Sequence, residues 1–288
     1  MASSFCFALM NVFIRLAGDI PSIEKTFFRN FIAMLVAAIA IARAHEGFAY
    51  RRRDLPLLTL RSVCGTLGML ANFYAVDHML LADATAIQKL VPFFTILSSW
   101  LVLKERIRPW QTGLILLAFA ASLLVVKPGF SPDIWPAIIQ FFGALAAGFA
   151  YTFVRQLTLR GVAKPKIIFF FSAFSCIAVI PLIAMNFVMP DMKQLLMLLC
   201  TGLAASGGQF AVTYAYGFAP ARQISIYDYS QILFSALFGL VFFGQLPDWL
   251  SWIGYILLLA CAVANFVLSN RSGRNAGTPD TQLKEARS

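Results

Sequence analysis

Charged residues are scarce in this chain. Asp, Glu, Lys and Arg make up 12% of it, and only 13 residues are acidic. A water-soluble domain carries about twice that share of charge, so composition excludes a soluble globular protein. Histidine is almost missing. His45 and His78 stand apart in loop or helix-end sequence and belong to no ligand cluster. The five cysteines, Cys6, Cys64, Cys176, Cys200 and Cys261, contain no CxxC pair and lie inside apolar sequence. There a thiol is a small packing group, and neither a disulfide framework nor a metal site is indicated. No GxxxxGKS or GxxxxGKT occurs, which excludes an ATP-driven pump of the P-loop kind. HExxH and GxSxG are absent too, removing the common protease and hydrolase routes. No cofactor and no enzymatic activity are expected.

The chain does have long apolar runs: 60% of its residues are hydrophobic, with a mean hydropathy of +0.77. Ten runs cover 1–17, 24–42, 62–79, 82–103, 110–126, 135–154, 167–187, 194–217, 222–243 and 249–269. Most are near the ~20 residues with which an α-helix crosses a ~30 Å hydrocarbon layer. The basic residues gather in every second gap: Arg43, Arg51, Arg52, Arg53 and Arg61 in the second, Lys104, Arg106 and Arg108 in the fourth. Arg155, Arg160, Lys164 and Lys166 follow in the sixth, Arg222 in the eighth, and Arg271, Arg274, Lys284 and Arg287 in the tail. That is seventeen of 23, against four (Lys25, Arg29, Lys127, Lys193) in the other gaps and their flanks. Because positive loops stay in the cytoplasm, both termini are expected there, with an even number of spans. The net charge of +10 then reports topology and anionic headgroup contact, so the expected partner is the bilayer rather than nucleic acid. The first run is short for a span, which suits a helix with little tilt or a natural start upstream of Met1. No basic segment precedes it, so a cleaved signal peptide is not expected. The stretch 270–288 is polar and rich in Gly and Ser, and reads as a disordered cytoplasmic tail.

The sequence repeats itself at a spacing of about 140 residues. Tyr74-Ala75 returns as Tyr214-Ala215, each followed by a short loop and a long apolar run. Pro109, Trp110 and Gly113 open the closing run of the first copy, and Pro247, Trp249 and Gly254 that of the second. Each copy, 1–128 and 134–269, holds five runs. An odd number of spans per copy makes the second enter the membrane upside down relative to the first. Such inverted repeats accompany alternating access around a site near mid-membrane. The fold class expected is an all-α integral membrane protein of ten transmembrane helices in two inverted five-helix repeats.

At this point the chain resembles the EamA-type transporters of the drug/metabolite transporter superfamily. The resemblance spans about 1–269. It rests on Pro21 and Arg29, Tyr74-Ala75, Ala82-Asp83-Ala84, Pro92, Lys104-Glu105-Arg106 and Gly113. It implies a ten-helix secondary carrier for small metabolites. Gln245 stands where the family usually places Glu, a departure expected to alter only a contact at the cytoplasmic end.

Within the runs, two charges stand out. Lys89 lies seven residues into the fourth run and Asp228 six residues into the ninth, depths of ~10 and ~9 Å at 1.5 Å per residue. They occupy nearly equivalent places in the two copies. Charges at such depth are costly and must face protein or water, either as a helix-locking pair or along a substrate path. Their neighbours favour the path. Ser225, Gln231, Ser235 and Gly239 share the face of Asp228. The eighth run offers Ser206, Gln209, Thr213 and Tyr216, and the third Gly65, Gly68, Asn72 and Ala75. The glycines serve packing equally well. Asn11 and Arg15 share a face of the first helix, while Arg15 and Arg29, near the outer face, also suit snorkelling. The expected path residues are Lys89, Asp228, Asn72, Tyr74, Gln209, Tyr214, Tyr216, Gln231, Asn11 and Arg15. Lys89 would engage a carboxylate, Asp228 an amine or a coupling proton, and Asn72, Gln209, Tyr214 and Gln231 the remaining polar groups. Pro92 and Pro181 are kink candidates, and Trp100, Trp110, Trp249 and Trp252 read as interface anchors.

Three functions compete. A secondary carrier for a small polar or amphipathic metabolite, such as an amino acid or similar zwitterion, leads; protons are the candidate coupling ion. A membrane enzyme acting on a lipid or polyprenyl substrate would need clustered acids or histidines at one face, and Asp77, His78 and Asp83 are scattered single ones. A channel would need a filter sequence, and none is present. The charge pattern itself is testable. A cysteine replacing Arg52 is expected to resist an impermeant thiol reagent in intact cells, whereas one replacing Pro132 reacts. Labelling at Arg52 without lysis would reverse the orientation.

Overall fold

Runs of Leu, Ile, Phe and Ala, with Pro placed in first turns where its missing N–H costs nothing, make this chain helical throughout. The computed structural model describes residues 2–45, 47–103, 109–126, 134–185, 187–218 and 230–275. Among them run α1 (Ala2–Leu16), α2 (Ser22–Arg43), a 3₁₀ turn (Arg52–Asp54), α3 (Leu55–His78), α4 (Leu81–Gln88), α5 (Val91–Leu103) and α6 (Pro109–Val126). These are followed by α7 (Trp135–Leu159), α8 (Lys164–Met185), α9 (Met192–Phe218), α10 (Ser230–Phe243) and α11 (Trp249–Asn275). Among the described residues, six stretches are long and apolar enough to cross a membrane: Ser22–Arg43, Leu81–Val102, Trp135–Leu159, Lys164–Met185, Met192–Ala211 and Trp249–Leu268. Large apolar side chains face outward, among them Ile39, Leu116, Ile177, Leu203 and Ile256, while Lys25, Glu24 and Gln140 are among the most deeply buried side chains. Apolar outside and polar inside is the arrangement of a protein dissolved in lipid. The chain is an all-α integral membrane protein.

Three helix limits differ from the sequence expectation. The fourth run divides after Gln88: Lys89 and Leu90 form a turn, and α5 restarts with Pro92 as its second residue. Pro92 has no N–H for the carbonyl four residues earlier, and its ring crowds that carbonyl, so the helix is cut rather than bent. Pro181, in contrast, sits inside an uninterrupted α8. The third helix begins at Leu55, capping its start with the 3₁₀ turn, so Arg61 belongs to the bundle and not to a loop. At the other extreme α11 continues to Asn275, six residues beyond the apolar limit, because a helix leaving the lipid needs no further apolar face. Residues 276–288 lie outside the described residues.

Interhelical bonds sort the helix ends into two groups. At one end Lys25 meets Asp77, Arg15 Nη1 donates to Met79 O (2.9 Å), the Val188 N–H donates to Glu24 Oε1 (2.8 Å), and the Leu81 N–H donates to Gln245 Oε1 (3.2 Å). At the other, Tyr50 Oη donates to Lys166 O (3.1 Å) and Arg160 Nη1 meets Asp54 Oδ1 (3.4 Å). Gln245 therefore caps the start of α4 at the end opposite the basic loops. The helix before Gln245 runs away from the end that holds the basic loops. In the interior α3 packs along α7, α1 along α9, α2 against α8, α6 against α11, α5 against α7, α1 against α10, and α4 against α10.

Glycine permits the α3–α7 approach. A Cβ at Gly68 would stand 2.9 Å from Gly143 O and 3.2 Å from the Ala147 Cβ. These two glycines pack one helix on the other. Gly68→Val should cost about 1–3 kcal/mol by overpacking, read as a lowered unfolding midpoint in detergent. Gly113→Ala, with nothing within 4 Å of the added carbon, should change little. Equal midpoints for the two variants would deny the close contact.

Candidate functional site

The break between α4 and α5 puts Lys89 at a helix end inside the bundle, on the face α4 turns to α10. Two rungs join these helices in antiparallel register, and Gln245, just past the end of α10, adds a third bond. Lys89 Nζ donates to Gln231 Oε1 at 2.7 Å, Thr85 Oγ1 to Ser235 Oγ at 2.8 Å, and the Leu81 N–H to Gln245 Oε1. Thr85 and Lys89 are four residues apart, as are Gln231 and Ser235, so each helix offers one polar stripe to the other. Sequence reasoning placed Lys89 and Gln231 on one path, and the structure brings them into contact across 142 residues.

On the opposite flank of α4 stands Gln140 of α7, fully buried. Its Nε2 donates to Gln88 Oε1 (2.7 Å), Asn72 Oδ1 (3.1 Å) and Ala84 O (3.2 Å), tying α3, α4 and α7 at the level of the break. Its own Oε1 is buried without a partner, as is Asn11 Oδ1 on α1. Gln140 is a candidate that sequence reasoning missed. Its only signal was one glutamine in the apolar first half of α7, ahead of Thr152, Arg155 and Gln156.

The other expected residues fall elsewhere. Tyr74 stacks on His78, ring centroids 4.1 Å apart, and turns toward the end of α3. Arg15, besides its bond to Met79, lies over the Phe243 ring at 5.0 Å and fastens α1 to the ends of α3 and α10. Each sits within about one turn of its helix end, beyond the level of the break. Gln209 lines a groove between α2, α8 and α9 with Ala33, Ala37, Lys164 and Phe210, away from Lys89. Asp228 and the side chains of Tyr214 and Tyr216 lie outside the described residues. Asp77, His78 and Asp83 do not converge: Asp77 meets Lys25, His78 packs on Tyr74, and Asp83 accepts from Tyr255 Oη at 2.5 Å.

Lys25 and Asp77 form the strongest closure. The ammonium, fully buried at the start of α2, lies 2.7 Å from both carboxylate oxygens and 3.0 Å from Gly18 O, while Ser22 Oγ adds a bond to Asp77 at 3.4 Å. Removing one partner strands the other charge, whereas removing both does not. Asp77→Asn is expected to lower stability by about 3–5 kcal/mol, and the double change Lys25→Met with Asp77→Leu to recover most of it. A double variant no more stable than Asp77→Asn would contradict the pairing.

Comparison with known proteins agrees with this architecture. The model of the EamA-like transporter family matches residues 1–127 and 134–267. The pseudopaline exporter CntI of Pseudomonas aeruginosa (strain UCBPP-PA14) is 33% identical over 265 residues, covering 91% of this chain and 92% of that protein. A riboflavin transporter of Rhizobium johnstonii is 26% identical over 281 residues (94% and 90%), and human solute carrier family 35 member G1 26% over 280 (91% and 76%). A solved crystal structure, 18% identical, superposes with a TM-score of 0.64 over 93% of this chain and 98% of its own, a likeness of fold. The chain belongs to the EamA-like transporter family and is a transporter of small metabolites, not an enzyme.

Proposed function

We propose that this chain is a secondary carrier of the bacterial inner membrane, working by alternating access, with ten spans in two inverted repeats (1–128 and 134–269) and both termini in the cytoplasm. The observation that carries this reading is Lys89 at a broken helix inside the bundle, donating to Gln231 of the other repeat. Broken helices near mid-membrane are where carriers of this kind bind substrate. The packing partners support the symmetry. Exchanging the two five-helix halves turns α3 on α7 into α9 on α1, and α5 on α7 into α10 on α1. It maps α2 on α8, α4 on α10 and α6 on α11 onto themselves. Bonds at both ends support gates on either side.

The substrate is a small polar or amphipathic metabolite, a class that fits the relatives named for pseudopaline export and riboflavin transport. Lys89 binds a carboxylate of it in exchange for Gln231. Gln140 Oε1, buried and unpartnered, accepts from an ammonium or hydroxyl, and Asn72 and Gln88 hold Gln140 in place. Asp228 takes an amine or a coupling proton.

Counterflow of labelled substrate in proteoliposomes tests the carrier, because only a carrier shows trans-stimulation. Lys89→Met should fold and yet lose about ten- to a hundredfold in counterflow, the worth of a charged hydrogen bond of about 1.5–3 kcal/mol. Under an imposed pH gradient the wild type should accumulate substrate, and Asp228→Asn should exchange without accumulating. Full counterflow by Lys89→Met would remove Lys89 from the path, and exchange without accumulation by the wild type would exclude proton coupling.

A further inference from the structure

A second cationic locus lies away from Lys89, among α2, α3, α7 and α8. Arg29 of α2 and Arg61 of α3 flank one ring, Phe171 of α8, with guanidinium carbons 6.0 and 3.7 Å from its centroid. The two charges thus stand within about 10 Å of each other, close enough to repel in a low-dielectric interior. Gly65 makes the stack possible: a Cβ there would fall 2.9 Å from the Phe171 ring and closer still to Arg61 Nη1.

No carboxylate among the described residues compensates these charges. Glu24, Asp54, Asp77, Asp83, Asp191 and Asp248 are engaged with other groups, and Asp19 is exposed in the turn between α1 and α2. Arg29 Nη1 donates to Asn30 Oδ1 at 2.8 Å, but Arg29 Nε, Arg61 Nε and Arg61 Nη1 are buried without an acceptor. The surroundings are polar: Asn30 and Ser175 are fully buried, Thr66 bonds to Ser175 at 2.5 Å, and the hydroxyl of Ser172, beside Phe171, is buried and unpartnered. A purely structural role is served better by apolar residues, since an uncompensated buried charge destabilises a membrane bundle.

We propose that Arg29 and Arg61 form a receptor for an oxyanion of the transported molecule, a carboxylate or a phosphate, which the planar guanidinium fork grips bidentately. The inference rests on the carrier reading and adds to it: besides the carboxylate at Lys89, the substrate carries a second acidic group, held between α2, α3 and α8. The ring of Phe171 keeps the two forks apart in the empty state, and the anion replaces that cation–π contact with paired hydrogen bonds.

Thermal unfolding of the detergent-purified wild type is measured against malonate, succinate, inorganic phosphate and phosphatidylglycerol, with sodium chloride at equal ionic strength as reference. A saturable rise of about 5 °C or more is expected with a soluble oxyanion, since a ligand bound only by the folded state stabilises it by mass action. Arg61→Gln and Arg29→Gln should lose that rise, yet unfold in chloride no earlier than the wild type, having shed an uncompensated charge. Arg61→Lys, which keeps the charge without the fork, should need about tenfold more anion. A wild type that responds to no soluble oxyanion, a rise that survives in Arg61→Gln, or a response to phosphatidylglycerol alone would each overturn the proposal. Binding is read without transport. A failure here therefore leaves counterflow by the wild type untouched, whereas loss of counterflow with binding intact would strike the carrier reading instead.

Discussion

Inside the hydrocarbon layer no water is present to satisfy a polar group, so every polar side chain must find its partner within the protein. The bundle is organised by that constraint. Lipid tails are as apolar as leucine, and apolar contact alone gives helices little reason to prefer each other over lipid. Orientation and register come instead from bonds that only one arrangement allows. The Lys25–Asp77 pair joins α2 to α3, Gln140 ties α7 to α3 and α4, and the Lys89 and Thr85 rungs fix α4 on α10. Small residues at Gly68 and Gly143 then let the backbones of α3 and α7 close up.

The same constraint separates groups that hold the bundle from the groups we propose for transport. Lys25 is saturated, with two carboxylate oxygens and a backbone carbonyl around its ammonium. The Gln140 carbonyl and three nitrogens of Arg29 and Arg61 are buried and unsatisfied. Groups of the first kind close an end of the molecule. Those of the second lie deeper, beside a helix cut by Pro92 or around the Phe171 ring. A carrier needs both, since its ends must close in turn around a site that remains incomplete until the cargo arrives.

Much of this was legible in the sequence, because a membrane span declares itself by length and loops by their charge. The apolar helices of a membrane protein and the meeting of Lys89 with Gln231 follow from spacing. The missed features depend on tertiary pairing. Asp77 reads as a stray acid at a helix end until α2 brings Lys25 to it across 52 residues. Arg61 looks like one more cytoplasmic cation because apolar scanning starts the third helix at 62, whereas the structure starts it at Leu55 and turns Arg61 inward. Gln140 carries no charge to flag its depth. Pro92 was recognised as a weak point, but whether a proline bends or breaks a helix depends on neighbours that can take up the freed carbonyl.

Accessibility of the Lys89–Gln231 contact from the two sides of the membrane bears most directly on alternating access. Gln231→Cys can be labelled with an impermeant thiol reagent in right-side-out and inside-out vesicles, before and after a short thiol cross-linker joins Leu81→Cys to Gln245→Cys, neighbours at one end of α4. Before cross-linking, labelling from both sides is expected. Afterwards it should persist only from the side of the basic loops, and transport should cease. Unchanged labelling from both sides with the cross-link in place, or transport that continues, would contradict a single central site exposed to one side at a time.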